Sequence, residues 1–283
     1  MRGRRLDENC NSRFGRLAHR HDQTLDCFVM PKRDPTQRFS SRVADYVSYR
    51  PGYPGEILSL LRSECGLTPH SIIADVASGT GLLTRLFLEN GNRVFGVEPN
   101  PEMRQAGERL LAGYAKFVSV AGTAENTSLP DHGADFVTAA QAAHWFDLKK
   151  ARQEFVRILK PGGWCVLVWN LRRTDSTAFL RDYEQLLLTY GTDYKEVRHE
   201  RTTGELDSFF APSSFQSRVF EMRQEFDYRE LKGRLLSSSY TPQEGDPRHR
   251  PMLGQLRRIF DQHQKHDQVT LEYDTQVFYG KLE

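Results

Sequence analysis

A mostly parallel α/β sheet covered by helices on both faces is what this sequence predicts, on three observations. From residue 71 to residue 169 apolar runs alternate with helical ones: SIIADVA then LLTRLFLEN, NRVFGVE then PEMRQAGERLL, KFVSVA, ADFVTAA then DLKKARQEFVRIL, and WCVLVW. The apolar runs are rich in Val, Ile and Phe and lack a strict polar alternation, as strands buried on both faces do. The helical runs between them supply the crossovers that parallel strands require. At 283 residues with 38% hydrophobic content, the chain can bury one good core, so one domain, or one domain with a cap, is expected.

The first 38 residues hold eight arginines and one lysine against five acids, with no helical or strand period. Residues 1–38 are therefore read as a disordered, Arg-rich extension. Asp7, Glu8, Asp22 and Asp26 are out of place in an organelle transit peptide, and Met30 offers an alternative start. From Ser40, the residues Val43, Ala44, Tyr46 and Val47 make a short helical stripe ended by the prolines of YRPGYP. Pro54 suits the first turn of a second helix, with Ile57, Leu58, Leu60 and Leu61 as its buried face and Gly66 at its end. The folded domain is placed at residues 39–283, with a core at 70–170 and a C-terminal cap and last strands at 171–283. In that tail TAFLRDYEQLLLTYG and MLGQLRRIFDQH read as helices and VTLEYDTQVFYG as a strand. Such a tail finishes the sheet with antiparallel pairing while its helices fold over the site.

Thirty-nine Lys and Arg against 37 Asp and Glu leave a charge of +2, too balanced to point to a nucleic-acid or membrane partner. Cys10, Cys27, Cys65 and Cys165 contain no CxxC pair, so neither a disulfide framework nor a zinc site is expected, and a reducing, cytoplasmic setting fits. No stretch reaches the roughly 20 apolar residues of a membrane helix.

The most informative stretch is Asp75-Val76-Ala77-Ser78-Gly79-Thr80-Gly81, which leaves an apolar strand and runs into a helix. Small residues there let the backbone approach a ligand, and in an open parallel sheet the ligand crevice lies beyond the carboxyl ends of the strands. A dinucleotide loop would carry GxGxxG and rest a pyrophosphate on the helix N-terminus. Here the third glycine position is Thr84, and Asp75, an acid that a pyrophosphate would disfavour, opens the loop. The second strand ends at Glu98, where a carboxylate can accept hydrogen bonds from both hydroxyls of a ribose. Asn100 and Pro101 form an N-cap and a first-turn proline.

DVASGTG resembles the acidic, glycine-rich first motif of class I S-adenosylmethionine-dependent methyltransferases, with Ala77 where many members have glycine. The resemblance implies a Rossmann-like class I methyltransferase sheet, mostly parallel with an antiparallel C-terminal strand, flanked by helices and capped by the N- and C-terminal segments. It implies S-adenosyl-L-methionine as cofactor. Asp75, Ala77, Gly79 and Gly81 would hold its amino-acid half, Glu98 its ribose, and Thr123, Ala124 and Glu125 of GTAENTSLP its adenine, with Pro99 also among the cofactor-binding residues. Gln141 would touch the methionine half. HWFD, YRPGYP, LKPGGW and GRLLSSSY together resemble a subgroup with a type 11 methyltransferase domain that includes trans-aconitate methyltransferase-like small-molecule enzymes. The resemblance runs from about Phe39 to the C-terminus.

Methyl transfer from a sulfonium is a direct displacement, so no nucleophile or metal is required and alignment of the reactants is the main task. His144 is the candidate catalytic residue, as general base or as a positioning group. Tyr49, Arg50, Tyr53, Trp145 and Tyr240 are the candidate substrate-side residues. Tyr49, Tyr53, Trp145 and Phe146 could also hold a sulfonium against their rings, and Arg50 either orients an acidic group or is a solvated helix-end arginine. The expected partner is a small methyl acceptor, with a carboxylate or a hydroxyl as the candidate methylated group, for a chain that is a monomer or a homodimer. No NPPY-type motif follows the fourth strand, so a nucleic-acid acceptor is not expected. A nucleotide-dependent oxidoreductase and a methyltransferase-like binding protein without turnover are the rival readings.

Overall fold

A computed structural model of the chain describes residues 49–194 and 205–282. The Arg-rich extension and the stripe at Val43, Ala44, Tyr46 and Val47 lie outside the described residues. Helix α1, Glu56–Cys65, buries Ile57, Leu60, Leu61 and Cys65 and ends at Gly66, whose φ of 69° is the left-handed value that glycine takes without strain. The helix begins two residues beyond Pro54, whose carbonyl accepts from the Ile57 N–H at 3.2 Å.

The sheet has seven strands in the order β3-β2-β1-β4-β5-β7-β6. They are β1 Ile72–Val76, β2 Arg93–Val97, β3 Phe117–Val120, β4 Ala134–Ala140, β5 Leu159–Arg172, β6 Phe215–Phe226 and β7 Val269–Lys281. Strands β1 to β5 pair in parallel. Strand β7 is antiparallel to both β5 and β6, so β6 runs in the same direction as β5 and β7 alone is reversed. The expected single antiparallel C-terminal strand is found, one place in from the edge. Order reverses between β1 and β4, and the crevice at that switch point is where open α/β sheets bind ligands.

Helices α2 Leu82–Glu89, α3 Pro101–Leu110 and α4 Leu148–Ile158 connect the parallel strands. Neighbouring strand residues divide between two apolar cores. Ala74, Val97, Val137, Leu167 and Trp169 belong to one, and Ile73, Val94, Phe136, Val166 and Val168 to the other. That division is the physical reason the strands read as continuous apolar runs. A third core belongs to the cap, where α5 Ala178–Tyr190, α7 Tyr228–Leu236 and α8 His249–His263 meet the start of β7 through Leu180, Tyr183, Leu231, Leu256, Phe260 and Tyr273. The short α6, Leu206–Phe210, packs Phe209 and Phe210 under the sheet. Among the described residues no helix is long and apolar enough to cross a membrane.

Candidate functional site

The turn after β1 is held open by backbone geometry. Ala77, Gly79 and Gly81 all have positive φ, at 54°, 58° and 88°, so the alanine of this loop adopts the conformation glycine favours. A Cβ on Gly81 would stand 2.5 Å from Leu111 Cδ1. A Cβ on Gly107 of α3 would lie 3.3 Å from the Gly79 carbonyl oxygen, so α3 seats directly on the loop.

Asp75 lies beneath this turn, 1% exposed. Its carboxylate accepts from the Thr84 hydroxyl at 2.5 Å and from the Thr138 hydroxyl at 2.9 Å. One acid thus ties β1 to α2 and to β4. Burial pushes its pKa up to about 6 against the opposing pull of the two threonine hydroxyls. Thr84, the residue at the third-glycine position, is therefore a partner of the acid. Thr138, a polar residue inside ADFVTAA, was not singled out from sequence although its place in a buried strand was a visible signal.

Glu98 is 7% exposed and folds back onto the loop instead of standing out from the strand end. Its Oε2 accepts from the Gly79 N–H at 2.8 Å and its Oε1 from the Asn100 N–H at 2.9 Å. Pro99 between them offers no competing N–H. Burial raises the pKa of Glu98, while the Asn100 and Gly79 amides act the other way. Each carboxylate oxygen keeps a second lone pair, so two further hydroxyl donors can be accepted. Asn100 is the N-cap of α3, its side chain accepting from the Met103 N–H at 2.9 Å, with Pro101 in the first turn.

Thr123 and Asn126 close a tight backbone turn around the buried Ala124. Glu125 accepts from the Asp147 N–H at 2.9 Å, linking this turn to the N-terminus of α4. The next residue but one, Thr127, donates to Glu154 from both its N–H and its hydroxyl. Burial alone would raise the pKa of Glu154, but the Arg157 guanidinium and these Thr127 bonds overcome it and hold the carboxyl at about 2.

Beyond β4, Gln141 takes φ 55°. Its Nε2 donates to the Asn170 carbonyl at 2.9 Å, which leaves Oε1 buried without a hydrogen-bond partner. The pairing of Asp75 with Thr138 sets Gln141 and the Ala77–Gly79 turn at the same edge of the sheet. A short 3-10 turn, Ala143–Trp145, follows, with the His144 and Trp145 rings 4.6 Å apart and tilted by 48°.

Besides Trp145, the candidate substrate-side residues fall in two segments that touch. A Cβ on Gly233 would come within 2.1 Å of the Tyr49 ring, and Arg50 donates to the Ser237 carbonyl at 3.0 Å. Tyr53 is half-buried against the apolar core under β1. Tyr240 packs its ring 4.8 Å from Tyr194, and its carbonyl accepts from the Thr192 N–H. The residue joining these parts is Asn170, which the sequence marks only as the polar end of WCVLVWN. Its Nδ2 donates to the Gly52 carbonyl at 3.0 Å, its Oδ1 accepts from the Thr275 hydroxyl at 2.7 Å, and its carbonyl takes Gln141.

Comparison with known proteins gives the same picture. A methyltransferase domain is matched over residues 74–167. An uncharacterized methyltransferase of Mycobacterium tuberculosis is 36% identical over 174 residues, covering 62% of this chain and 67% of the relative. An uncharacterized methyltransferase-like protein of Schizosaccharomyces pombe is 28% identical over 261 residues, covering 90% of this chain and 99% of its own. Among solved structures, a protein assigned as a type II methyltransferase from Anaeromyxobacter dehalogenans superposes with a TM-score of 0.61 at 21% identity, covering 82% of this chain and 98% of that one. A protein assigned to an antibiotic biosynthesis pathway of Anabaena variabilis gives 0.56 at 22% identity, over 80% and 97% of the two chains. The chain belongs to the methyltransferase family and folds as its class I members do.

Proposed function

We propose that this protein transfers a methyl group from S-adenosyl-L-methionine to a small-molecule acceptor by direct displacement in a closed pocket. The observation that carries the reading is the Glu98 carboxylate, fixed by Gly79 and Asn100 at the carboxyl edge of the sheet with lone pairs to spare for two ribose hydroxyls. Gln141 supports it, because its buried Oε1 suits the ammonium of an amino acid. Asp75 adds a desolvated negative charge beneath the same loop, which favours a cation above it and disfavours a pyrophosphate.

The cofactor, when bound, supplies a methyl group on a sulfonium leaving group. Asp75, Ala77, Gly79, Gly81 and Gln141 would hold its amino-acid half, Glu98 and Pro99 its ribose, and Thr123, Ala124 and Glu125 its adenine. Tyr49, Arg50, Tyr53, Trp145 and Tyr240 would orient the acceptor and exclude water. His144 either takes a proton from a hydroxyl acceptor or positions it. A His144→Gln variant separates these roles, since loss of a base changes the pH profile of kcat whereas loss of a positioning group raises KM at every pH. A small acceptor, a monomeric or homodimeric state and membership of the trans-aconitate methyltransferase-like subgroup remain part of this proposal.

Calorimetric titration with S-adenosylmethionine, S-adenosylhomocysteine and NADH tests it, followed by turnover with methyl-labelled cofactor. Binding of the two sulfur compounds and not NADH is expected. Binding of NADH alone would establish the oxidoreductase reading instead.

A further inference from the structure

We infer that Arg234 is the anchor for a carboxylate of the methyl acceptor, a step that rests on the methyl-transfer reading above. Helix α7 turns this arginine inward, and the residue is 6% exposed. Its Nε donates to the Tyr273 hydroxyl at 3.2 Å and its Nη1 to the Ser238 hydroxyl at 3.1 Å. Both partners are neutral, and they engage two of the five N–H bonds a guanidinium offers. Among the described residues no carboxylate lies within ion-pair distance of Arg234.

The surroundings do not make up the missing charge. Arg172, whose guanidinium stands 5.0 Å from the centre of the Tyr183 ring, is matched by Glu184. The Tyr194 hydroxyl accepts from Arg172 at 3.1 Å and donates to Glu184 at 2.7 Å. Burial raises the pKa of Tyr183 and of Tyr194, so both remain neutral phenols. Among the described residues, the enclosure around Tyr183 therefore holds two guanidiniums, Arg172 and Arg234, against the one carboxylate of Glu184. A guanidinium cannot shed its proton, and burying it unpaired is costly. A bound anion removes that cost.

The position fits the acceptor. Tyr273 stands opposite Arg172 in the β5–β7 register, at the carboxyl end of β5 and thus on the edge that carries the Asp75 loop and Gln141. One turn of α7 also meets the expected substrate-side residues, through Tyr49 on Gly233 and Arg50 on the Ser237 carbonyl. A single excess positive charge with a planar fork and a hydroxyl beside it matches a carboxylate better than a phosphate dianion, which would bring a second negative charge.

The test titrates the full chain, loaded with S-adenosylhomocysteine, with malonate, with the neutral malonamide and with inorganic phosphate. Malonate is expected to bind and malonamide not. Arg234→Gln is expected to weaken malonate by about tenfold or more and leave S-adenosylhomocysteine affinity unchanged. Should Arg234→Gln not fold, Arg234→Lys and Ser238→Ala take its place, the first keeping the charge without the fork and the second removing one neighbour; both are expected to weaken malonate. Failure of malonate to bind the loaded wild type, equal binding to wild type and variants, or tighter binding of phosphate would each overturn the assignment. So would loss of S-adenosylhomocysteine affinity in Arg234→Gln, which would put the cofactor's own carboxylate on the arginine. The loading step is read first: if S-adenosylhomocysteine does not bind, the methyl-transfer reading falls together with this one, whereas loading followed by no malonate response overturns this one alone.

Discussion

Tyr49 packs its ring on Gly233 so tightly that a methyl group added at that glycine would lie 2.1 Å from Cε2. The segment before α1 and the cap helix α7 therefore fit together only because position 233 has no side chain. Gly233→Ala must expel the ring or displace the helix, at a cost of about 1–3 kcal/mol for an overpacked site. Denaturant unfolding should show that loss in the wild-type background and little of it in Tyr49→Ala, where the space already exists. An equal loss in both backgrounds would mean that the ring is not what position 233 accommodates.

Asp75 makes stability depend on pH with a definite sign. Its folded pKa of about 6 lies above the ordinary 3.8, so between those values the folded state binds more protons than the unfolded one, and stability falls as pH rises through that window. Above about pH 6 this contribution is constant. Asp75→Asn should flatten the dependence between pH 4 and 6 and be no less stable than wild type at neutral pH, since the buried charge is gone. It should also weaken S-adenosylmethionine binding at neutral pH, because the cationic amine then lacks the charge beneath the loop. Thermal unfolding across pH checks the first expectation and calorimetry the second.

The sheet was legible because strands buried on both faces leave an unambiguous record: ADFVTAA and WCVLVW cannot be surface strands. The loop was legible because Gly79 and Gly81 mark positive φ. Ala77 at φ 54° was less so, since alanine gives no warning of that conformation. Glu98 was found as a residue, but its hold on the Gly79 amide depends on how β2 lies beside β1, a tertiary fact. Asn170 and Arg234 escaped for the same reason. Each is a single polar residue beside apolar neighbours, and the contacts that tie it to other elements, to Gly52 and Thr275 for one and to Tyr273 for the other, are with residues remote in sequence.

Asn170 uses both ends of its amide, donating to Gly52 and accepting from Thr275. Asn170→Asp keeps the acceptor and loses the donor, leaving the Gly52 carbonyl facing a carboxylate. The expected loss is roughly 1–3 kcal/mol, the cost of a buried acceptor left unsatisfied. The YRPGYP segment should loosen with it, so acceptor KM should rise more than the dissociation constant for S-adenosylhomocysteine. If the cofactor constant rises as much as KM, then Asn170 serves the loop through Gln141 and not the acceptor side.

Glu98 separates two contributions that a simple truncation would merge. Glu98→Gln presents an NH2 group to either the Gly79 or the Asn100 N–H, so one of the two clasping bonds is replaced by a repulsion between donors. Affinity for S-adenosylhomocysteine should fall by about 10- to 100-fold, the size expected for a lost hydrogen bond to a charged group. Part of that fall comes from a displaced loop and part from lost ribose contacts, and a ligand lacking one hydroxyl distinguishes them. In the wild type, 2′-deoxy-S-adenosylhomocysteine should bind more weakly than the parent compound, and in Glu98→Gln the difference should shrink. A difference of the same size in both proteins would show that Glu98 acts on the loop alone, and the ribose would then have to be held by other groups at the end of β2.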